Sequence, residues 1–382
     1  MTNKRLIGGL VIMGITLTGA MVIRSVVDPS RRLGNHRGET SGAVTTNPVQ
    51  IMGTRCSLTA VPAKGQRRRA QRAVTAAERA LRQVEAHMST YLRFSELSQL
   101  NRAPVGEAVK LSEDTMDVLR LSRTLATQTG GAFDVTHLPV FMLWAQAGKA
   151  GRLPGEADIA AARAKCGWDK WKLLGDGAVK SVDGAGFGLG GVAKGWAIDR
   201  ATETIAAAGC TGALVEVGGD IRCFGKPDHK DKWVVAVQNP FDQEGNDFFG
   251  TLAVNDAAVC TSGNYERFSI IDGKHYSHII DPRTGKCVDF APSVTVVAPT
   301  AAMADAWATA LSVLGPEGFS LLDAGSGIEA MLVVGGPTDY RIHETPGFAK
   351  LLDKPIPRSQ AKEKPQSAIN FGGDAGAKRN PQ

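Results

Sequence analysis

Two segments dominate the interpretation of this chain: Ser277-His278-Ile279-Ile280-Asp281-Pro282-Arg283-Thr284-Gly285 and Ala304-Asp305-Ala306-Trp307-Ala308-Thr309. The first has the pattern of a strand that runs into a turn, with an imidazole at the turn. The second separates the Asp305 carboxylate and the Thr309 hydroxyl by four residues, so on a helix both lie on one face. Such oxygens are ligands of hard cations, and a histidine beside them indicates phosphoryl-type chemistry.

The composition is that of a globular enzyme. The 382 residues are 43% apolar, which allows a large core in one domain or in two. A low aromatic content of 6% and 44 glycines are typical of a loop-rich α/β or α+β enzyme.

Positive charge is concentrated near the N-terminus. Residues 1–75 contain twelve Lys and Arg against Asp28 and Glu39, a net of +10, which leaves −4 for the rest of a chain whose total is +6. A nucleic-acid enzyme carries its basic surface on the catalytic body. Because this body is mildly acidic, we exclude nucleic acid as the main partner.

The N-terminus has the pattern of an export segment. Lys4 and Arg5 precede an uncharged, mostly apolar run from Leu6 to Ile23, whose length lies between that of a signal-peptide core and that of a membrane span. We therefore expect residues 1–24 to be a signal peptide or a membrane anchor. The expected location is the periplasm, with anchoring in the inner membrane left open.

The rest of the chain divides by composition. We expect a polar linker over residues 25–48, one large domain over 49–353, and a disordered tail rich in Pro, Lys, Gln and Gly over 354–382.

Helices are predicted from periodicity and caps. Apolar residues at three- and four-residue spacing predict a helix over 66–88, and Ser112 is placed to cap a second helix that ends at Gly130-Gly131. Another helix follows Gly195, and one more spans about 301–313. From Trp171 onward, short β-rich runs alternate with turns, at 171–182, 213–217, 233–237 and 251–254.

The six cysteines lie at positions 56, 166, 210, 223, 260 and 287, without a Cys-x-x-Cys pair or a His-Cys cluster at zinc spacing. An oxidising compartment would permit a disulfide such as Cys210–Cys223 or Cys260–Cys287. Small buried thiols are favoured over either pairing.

The glycine-rich segment 184–195 satisfies G-x-G-x-x-G at Gly186, Gly188 and Gly191. No repeated βαβ units flank it, so we reject a Rossmann dinucleotide site, and Lys194 is followed by Gly rather than Ser or Thr, which excludes a Walker A loop. Glycines admit a ligand close to the backbone, and a helix N-terminus offers N–H groups to phosphate. A phosphate-bearing ligand is therefore favoured over a purely structural turn.

Eight blocks, in order over about residues 50–335, resemble the ApbE family, the FAD:protein FMN transferases. The blocks are Met52-Gly53-Thr54; Met88-Ser89-Thr90-Tyr91 with Ser95-Glu96-Leu97 and Asn101; Gly131-Ala132-Phe133-Asp134-Val135; Leu189-Gly190-Gly191-Val192-Ala193-Lys194-Gly195; Gly218-Gly219-Asp220-Ile221; Thr261-Ser262-Gly263-Asn264-Tyr265; Ser277-His278-Ile279-Ile280-Asp281-Pro282; and Ala304-Asp305 to Thr309.

The resemblance implies a single large α+β catalytic domain similar to the tunnelling fold. It implies protein flavinylation: FAD is split at its pyrophosphate, FMN is attached through a phosphodiester to a Thr or Ser hydroxyl of an acceptor flavoprotein, and AMP is released. Mg²⁺ is the implied cofactor and FAD the substrate. The implied acceptor is a membrane respiratory flavoprotein that carries a Ser-Gly-Ala-Thr-like motif. In this chain Ser41-Gly42-Ala43-Val44 has Val at the modified position, so we reject self-modification.

Motif matches also imply site residues. His278 is the implied general base for the acceptor hydroxyl, the alternative being a hydrogen-bonded histidine at a strand end. Asp305, Thr309 and the Gly191 carbonyl are the implied Mg²⁺ ligands. The implied FAD contacts are Met52, Tyr91, Ala132, Phe133, Asp134, Lys194 and Ile280. Of these, Tyr91 is suited to stack on a ring, and Phe133 is equally compatible with the core.

Four residues at three sites depart from the family pattern. Gly188 stands where many members have Asp, Glu216 where Asn is usual, and His137-Leu138 replaces a smaller pair. The loss of a carboxylate at Gly188 would weaken FAD binding unless another acid compensates. Two alternatives stay open: a FAD pyrophosphatase that releases FMN and AMP, and a non-catalytic flavin-binding assembly factor of a membrane redox complex.

Overall fold

An eight-stranded antiparallel sheet organises the fold, with helices on one face and a smaller sheet on the other. The computed structural model describes residues 42–242, 247–263, 268–288, 290–354 and 356. The predicted export segment 1–24 lies outside these residues. The predicted α+β class is confirmed.

The strands alternate with helices along the chain and then follow one another closely. They are Val44–Thr46 (β1), Cys56–Val61 (β2), Val109–Lys110 (β3), Trp171–Leu173 (β4), Gly177–Lys180 (β5), Gly212–Val217 (β6), Asp220–Gly225 (β7), Trp233–Gln238 (β8), Phe248–Val254 (β9), Ala257–Gly263 (β10), Phe268–Ile271 (β11), Lys274–Ser277 (β12), Ile280–Asp281 (β13), Lys286–Cys287 (β14), Ser293–Ala298 (β15), Glu329–Val334 (β16), Arg341–Glu344 (β17) and Leu352–Lys354 (β18). The large sheet has the order β1-β2-β6-β7-β10-β15-β16-β17. Smaller sheets are β18-β9-β8, β3-β5-β4 and the hairpins β11–β12 and β13–β14.

The α-helices of the described residues are Arg67–Met88 (α1), Glu96–Arg102 (α2), Glu113–Gln128 (α3), Leu138–Ala150 (α4), Glu156–Arg163 (α5), Ala193–Ala207 (α6) and Ala301–Leu314 (α7). Short 3-10 turns span Trp168–Lys170, Gly315–Leu321 and Phe348–Leu351.

Three of these helices confirm the predicted patterns. The buried residues of α1 are the predicted apolar stripe, namely Ala70, Ala73, Val74, Ala77, Leu81, Val84 and Met88. Ser112 caps α3 as expected, because its side chain accepts a hydrogen bond from the Thr115 amide. Helix α7 lies within one residue of its predicted bounds.

Alternation along the strands of the large sheet creates two cores. On β16, Leu332 packs toward α1, α6 and α7, whereas its neighbours Met331 and Val333 pack toward β8 and β9. Nearly every residue of α7 is buried, since the helix lies between the sheet and α6. This buried position holds Asp305 inside the protein.

At both ends, the folded part of the chain extends past the predicted bounds of the domain. Val44–Thr46 falls in the predicted linker 25–48 but forms β1, because this β-branched run pairs with the edge of β2. At the other end β18 includes Lys354, and Ile356 is buried in the second core. The strand β1 and Ile356 therefore lie a few residues outside the predicted bounds 49 and 353.

Neither disulfide considered from the sequence is formed, because Cys210, Cys223 and Cys260 carry free thiols. Burial raises the pKa of Cys223 to about 12, so this thiol stays protonated. Among the described residues, the structure contains no helix that is both long and apolar enough to cross a membrane.

Candidate active site

The site is organised by the contact between α6 and α7, which run antiparallel over the large sheet. Gly191, just before α6, lies against Thr309, and a Cβ atom at Gly191 would meet its Oγ1 at 2.8 Å. The Gly195 amide donates a hydrogen bond of 3.0 Å to Oδ2 of Asp305. Gly191 and Gly195 are four residues apart, as are Asp305 and Thr309. Gly191 therefore lies opposite Thr309, and Gly195 lies opposite Asp305.

Gly195 is required by this close approach of the two helices. A Cβ atom there would lie 2.2 Å from the carbonyl oxygen of Ala301, which is a backbone atom that cannot rotate away. The sequence predicted a helix after Gly195, but α6 begins at Ala193 and includes it. The Gly195 amide bonds to Asp305.

Asp305 is 6% exposed and its ionisation is strongly perturbed. Burial and, second to it, the nearby carboxylate of Asp220 raise the pKa of this carboxyl to about 7, against the opposing effect of Lys194. A carboxylate held in this way gains from a cation that compensates its charge.

Lys194 and Asp220 form an ion pair beside Asp305. The Lys194 ammonium lies 2.7 Å from Oδ2 of Asp220, and Oδ1 of Asp220 accepts a hydrogen bond of 3.1 Å from the Thr261 amide. Asp220 is buried, whereas the Lys194 side chain is 26% exposed. Lys194 thus lies at the border between the buried carboxylates and solvent.

The predicted blocks around Met52 and Gly218 assemble into adjoining turns. Met52 has a left-handed backbone with φ of 51°, and its amide donates to Oε1 of Glu85 at 2.8 Å. Gly218 packs on Thr54, where a Cβ atom would lie 2.8 Å from Oγ1. Glu216, one of the departures from the family pattern, accepts from the Gly219 amide, and burial raises its pKa.

The glycine-rich loop before α6 is fixed by Asn101. Its Nδ2 donates to the Phe187 carbonyl at 2.9 Å and its Oδ1 accepts from the Phe187 amide at 2.8 Å. These paired bonds replace strand pairing and fix the position of the loop that carries Gly188 and Gly191.

The other two departures lie together. A Cβ atom at Gly188 would meet Cδ1 of Leu138 at 3.5 Å and Cε1 of His137 at 3.7 Å. Nδ1 of His137 is 2.7 Å from the Asp134 carbonyl, and burial lowers the pKa of the imidazole. Burial also raises the pKa of Asp134, whose Oδ1 accepts from the Thr136 amide. The larger pair 137–138 therefore fills space beside the smaller residue at 188.

His278 follows β12 directly and is half-buried. Ile280 is buried two residues later in β13, and the adjacent Ile279 packs with Ala132. This apolar contact brings the predicted FAD residues Ala132 and Ile280 to the same part of the molecule. The alternative of a strand-end histidine is compatible with the position of His278.

The two predicted aromatic contacts differ in exposure. Tyr91 is 82% exposed in the loop between α1 and α2, beside the equally exposed Phe94. Phe133 is 3% exposed and belongs to the main core. Tyr91 is therefore available to a ligand, whereas the Phe133 side chain is used in packing.

Asp305, Thr309 and Gly191 fit a hard cation. Among the described residues, one oxygen of Asp305 accepts the Gly195 amide and the other accepts no hydrogen bond. The Thr309 side chain is half-buried beside Gly191. The described part of the chain contains no cluster of three His, Cys, Asp or Glu residues suited to a metal. A site with one carboxylate, a hydroxyl, a carbonyl and waters is typical of Mg²⁺.

Sequence reasoning missed the role of Asp199 in α6. Its two carboxylate oxygens accept from the Ala301 and Ala302 amides at 2.8 and 2.9 Å, and Arg222 donates to Oδ1 at 2.8 Å. The four-residue spacing of Gly191, Gly195 and Asp199 was the signal that could have identified it.

Comparisons with known proteins agree on one family. The model of the ApbE family matches residues 52–332. A FAD:protein FMN transferase of Vibrio cholerae is 32% identical over 285 residues, which is 73% of this chain and 84% of the relative. One from Escherichia coli K12 is 30% identical over 321 residues, covering 81% and 89%.

Solved structures agree with the sequence relatives. The flavin transferase ApbE of Vibrio cholerae superposes with a TM-score of 0.71 at 28% identity, covering 81% of this chain and all of that one. The ApbE protein of Thermotoga maritima gives a TM-score of 0.70 at 28% identity, covering 81% and 99%.

Proposed function

Because the chain belongs to the ApbE family, we propose that it is a Mg²⁺-dependent FAD:protein FMN transferase. It attaches FMN from FAD through a phosphodiester to a Thr or Ser of an acceptor flavoprotein and releases AMP. The observation that carries this proposal is the buried Asp305 carboxylate, placed beside Thr309 and Gly191 on the α6–α7 contact.

The residues of the α6–α7 contact prepare a cation site. Asp305 would hold Mg²⁺ with the Thr309 hydroxyl and the Gly191 carbonyl. Bound Mg²⁺ supplies positive charge that stabilises the pyrophosphate as the bond to AMP breaks. Lys194, on the solvent side of the buried carboxylates, places a second positive charge where a phosphate would enter.

His278 acts as the general base. Its half-buried position after β12 leaves it accessible to an incoming hydroxyl and next to the apolar contact of Ala132 with Ile279. The imidazole accepts the proton of the acceptor Thr or Ser, whose oxygen then attacks the phosphorus of the FMN half. The Oγ–P bond forms as the P–O bond to AMP breaks, so AMP leaves with the electron pair.

The flavin nucleotide contacts Met52, Tyr91, Ala132, Asp134, Lys194 and Ile280. Tyr91 stacks on a ring of FAD from its exposed loop. Phe133 supports this site from the core. The acceptor carries a Ser-Gly-Ala-Thr-like motif and belongs to a membrane respiratory complex, and the protein acts in the periplasm, where residues 1–24 direct it.

Intact mass spectrometry tests the proposal. The full chain is incubated with FAD, Mg²⁺ and an acceptor domain that carries a Ser-Gly-Ala-Thr motif, and AMP is measured in parallel. A gain equal to FMN less water on the acceptor, with one AMP released per label, is the expected result. Free FMN and AMP without labelled acceptor would replace transfer with FAD hydrolysis. Bound FAD without AMP would identify a flavin-binding assembly factor.

A further inference from the structure

The first amides of α7 need partners outside the hydrogen-bond pattern of the helix itself. The Ala301 and Ala302 amides donate to Asp199, and the Met303 amide donates to the Thr300 hydroxyl. The Ala304 amide makes the first bond of the helix, to the Thr300 carbonyl. Asp199 thus supplies the partners of two of these first three amides. It comes from another helix, 102 and 103 residues away in sequence from the amides that it binds.

Asp199 is tied to the large sheet as well as to α7. Arg222 of β7 donates to its Oδ1 at 2.8 Å, and the Arg222 side chain is 20% exposed. The Asp199 side chain is 5% exposed. Since a buried carboxylate with three hydrogen bonds has one permitted position, Asp199 fixes α6, α7 and β7 relative to one another.

The consequence reaches Asp305, one turn further along α7. Asp199 holds the Ala301 end of α7 on α6, Gly195 permits the two backbones to touch there, and the Gly195 amide then meets Asp305. A shift of α7 along α6 would separate Asp305 and Thr309 from Gly191 and Gly195. The geometry of the cation site therefore depends on the contact made by Asp199.

We propose that Asp199, held by Arg222, is a positioning residue that sets the register of α7 on α6 and thereby the affinity of the Asp305 site for a divalent cation. This inference rests on the proposed function for the identity of the cation. The negative charge of Asp199 is also favourable at this place, because the N-terminus of α7 carries the positive end of the helix dipole.

Asp199→Asn is the test variant because it preserves the shape of the side chain. The single oxygen of Asn can accept a hydrogen bond from one of the two amides. Its NH₂ group is a donor and faces the other amide N–H, which is also a donor, so the second hydrogen bond is lost. The matched control is Glu203→Gln: Glu203 lies one turn later on α6 and also approaches Arg222, at 3.4 Å, but it is exposed to solvent. Within the described part of the chain, its ion pairs are with Arg200 and Arg222, neither of which belongs to α7.

Two readouts on the purified full chain decide the question. Mg²⁺ affinity is measured by isothermal titration without FAD, and hydrogen–deuterium exchange is measured over 299–305. We expect Asp199→Asn to weaken Mg²⁺ binding by roughly 10–100-fold, the size typical of lost outer-shell support. Exchange at the Ala301 and Ala302 amides should accelerate. Glu203→Gln should match the wild type in both readouts.

Unchanged Mg²⁺ affinity in a folded Asp199→Asn protein overturns the proposal, and so does an equal loss in Glu203→Gln. Arg222→Gln keeps Asp199 and removes its ion pair, and we expect a smaller loss of Mg²⁺ affinity. If Asp199→Asn does not fold, wild-type affinity in Arg222→Gln overturns the proposal. Failure of the proposed function would appear separately, as wild-type protein that binds Mg²⁺ but does not label the acceptor.

Discussion

The two faces of the large sheet are built differently. Toward α6 and α7, the carboxylates of Asp199, Asp220 and Asp305 are buried among apolar residues, each held by backbone amides. Toward β8 and β9, side chains such as Leu252 and Met331 form an apolar core. Burying charge costs free energy that apolar packing does not. Under the proposed function, the helical face carries the chemistry, while the other face contributes stability.

Removal of Asp305 should have the largest effect. Asp305→Ala takes away the one carboxylate of the cation site, so we expect FMN transfer to fall below detection and Mg²⁺ binding to be lost. The same variant should unfold at a higher temperature than metal-free wild type at pH 8, because a buried carboxylate is gone. Calorimetry and the mass assay measure both. Transfer at the wild-type rate would contradict the proposal that the helical face holds the cation site.

Loss of the general base should have the second-largest effect on FMN transfer. His278→Ala should slow transfer by roughly 10²–10⁴-fold, the usual contribution of general base catalysis, while FAD still binds. His275→Ala in β12 is the matched control, because its imidazole packs at a tilt against Phe268, with ring centroids 4.5 Å apart, on the same hairpin. Single-turnover rates and FAD fluorescence separate the two steps. Equal losses in both variants would indicate a structural role for His278.

A pair of glycine substitutions isolates the α6–α7 contact. Gly195→Ala forces a Cβ atom against the Ala301 carbonyl, at a cost of about 1–3 kcal/mol, so Mg²⁺ affinity should fall by roughly 10–100-fold. Gly188→Ala places its Cβ atom at ordinary contact distance from Leu138 and should bind Mg²⁺ as the wild type does. Titration calorimetry compares them. Similar affinities would show that the helix contact does not control the site.

The pH dependence of Mg²⁺ binding should reflect Asp305, whose pKa burial raises to about 7. Below that pH the metal must displace a proton, so affinity should fall about tenfold per pH unit and level off above it. Without metal, the folded protein keeps a proton that the unfolded chain loses near pH 4, so its stability should decrease as pH rises from about 4 to 7. A pH-independent Mg²⁺ affinity between pH 5.5 and 8.5 would contradict the raised pKa.

A substitution on the opposite face should leave transfer nearly unchanged. Leu252→Ala in β9 removes a fully buried side chain and should cost roughly 2–5 kcal/mol of unfolding free energy. Because this core lies across the sheet from the cation site, transfer by the folded protein at 25 °C should stay at the wild-type rate. Urea unfolding and the mass assay give the two values. A large loss of transfer in folded protein would remove the distinction between the faces.

Several elements of the fold could be predicted from local patterns in the sequence. The stripe of α1 and the Ser112 cap depend on neighbours within four residues, so periodicity and cap chemistry were sufficient to predict them. The strand β1 was missed because three residues gain their structure from pairing with β2 rather than from their own pattern. Likewise, β18 extends past the predicted domain boundary at 353 because it pairs with β9.

The candidate site shows the same limit at longer range. The spacing of Asp305 and Thr309 was visible in the sequence, and the structure places both beside the glycines that precede and open α6. Asp199 was overlooked because the α7 amides that it binds lie more than a hundred residues away. The departures at Gly188 and at His137-Leu138 were treated as separate changes, whereas the side chains fill one space.

The most direct test of the cation site is a crystal structure with Mn²⁺ in place of Mg²⁺, recorded for anomalous scattering. We expect one strong peak within coordination distance of an Asp305 oxygen, the Thr309 hydroxyl and the Gly191 carbonyl, and its loss in Asp305→Ala. A peak bound elsewhere, or one that persists in Asp305→Ala, would contradict the claim that the α6–α7 contact forms the site.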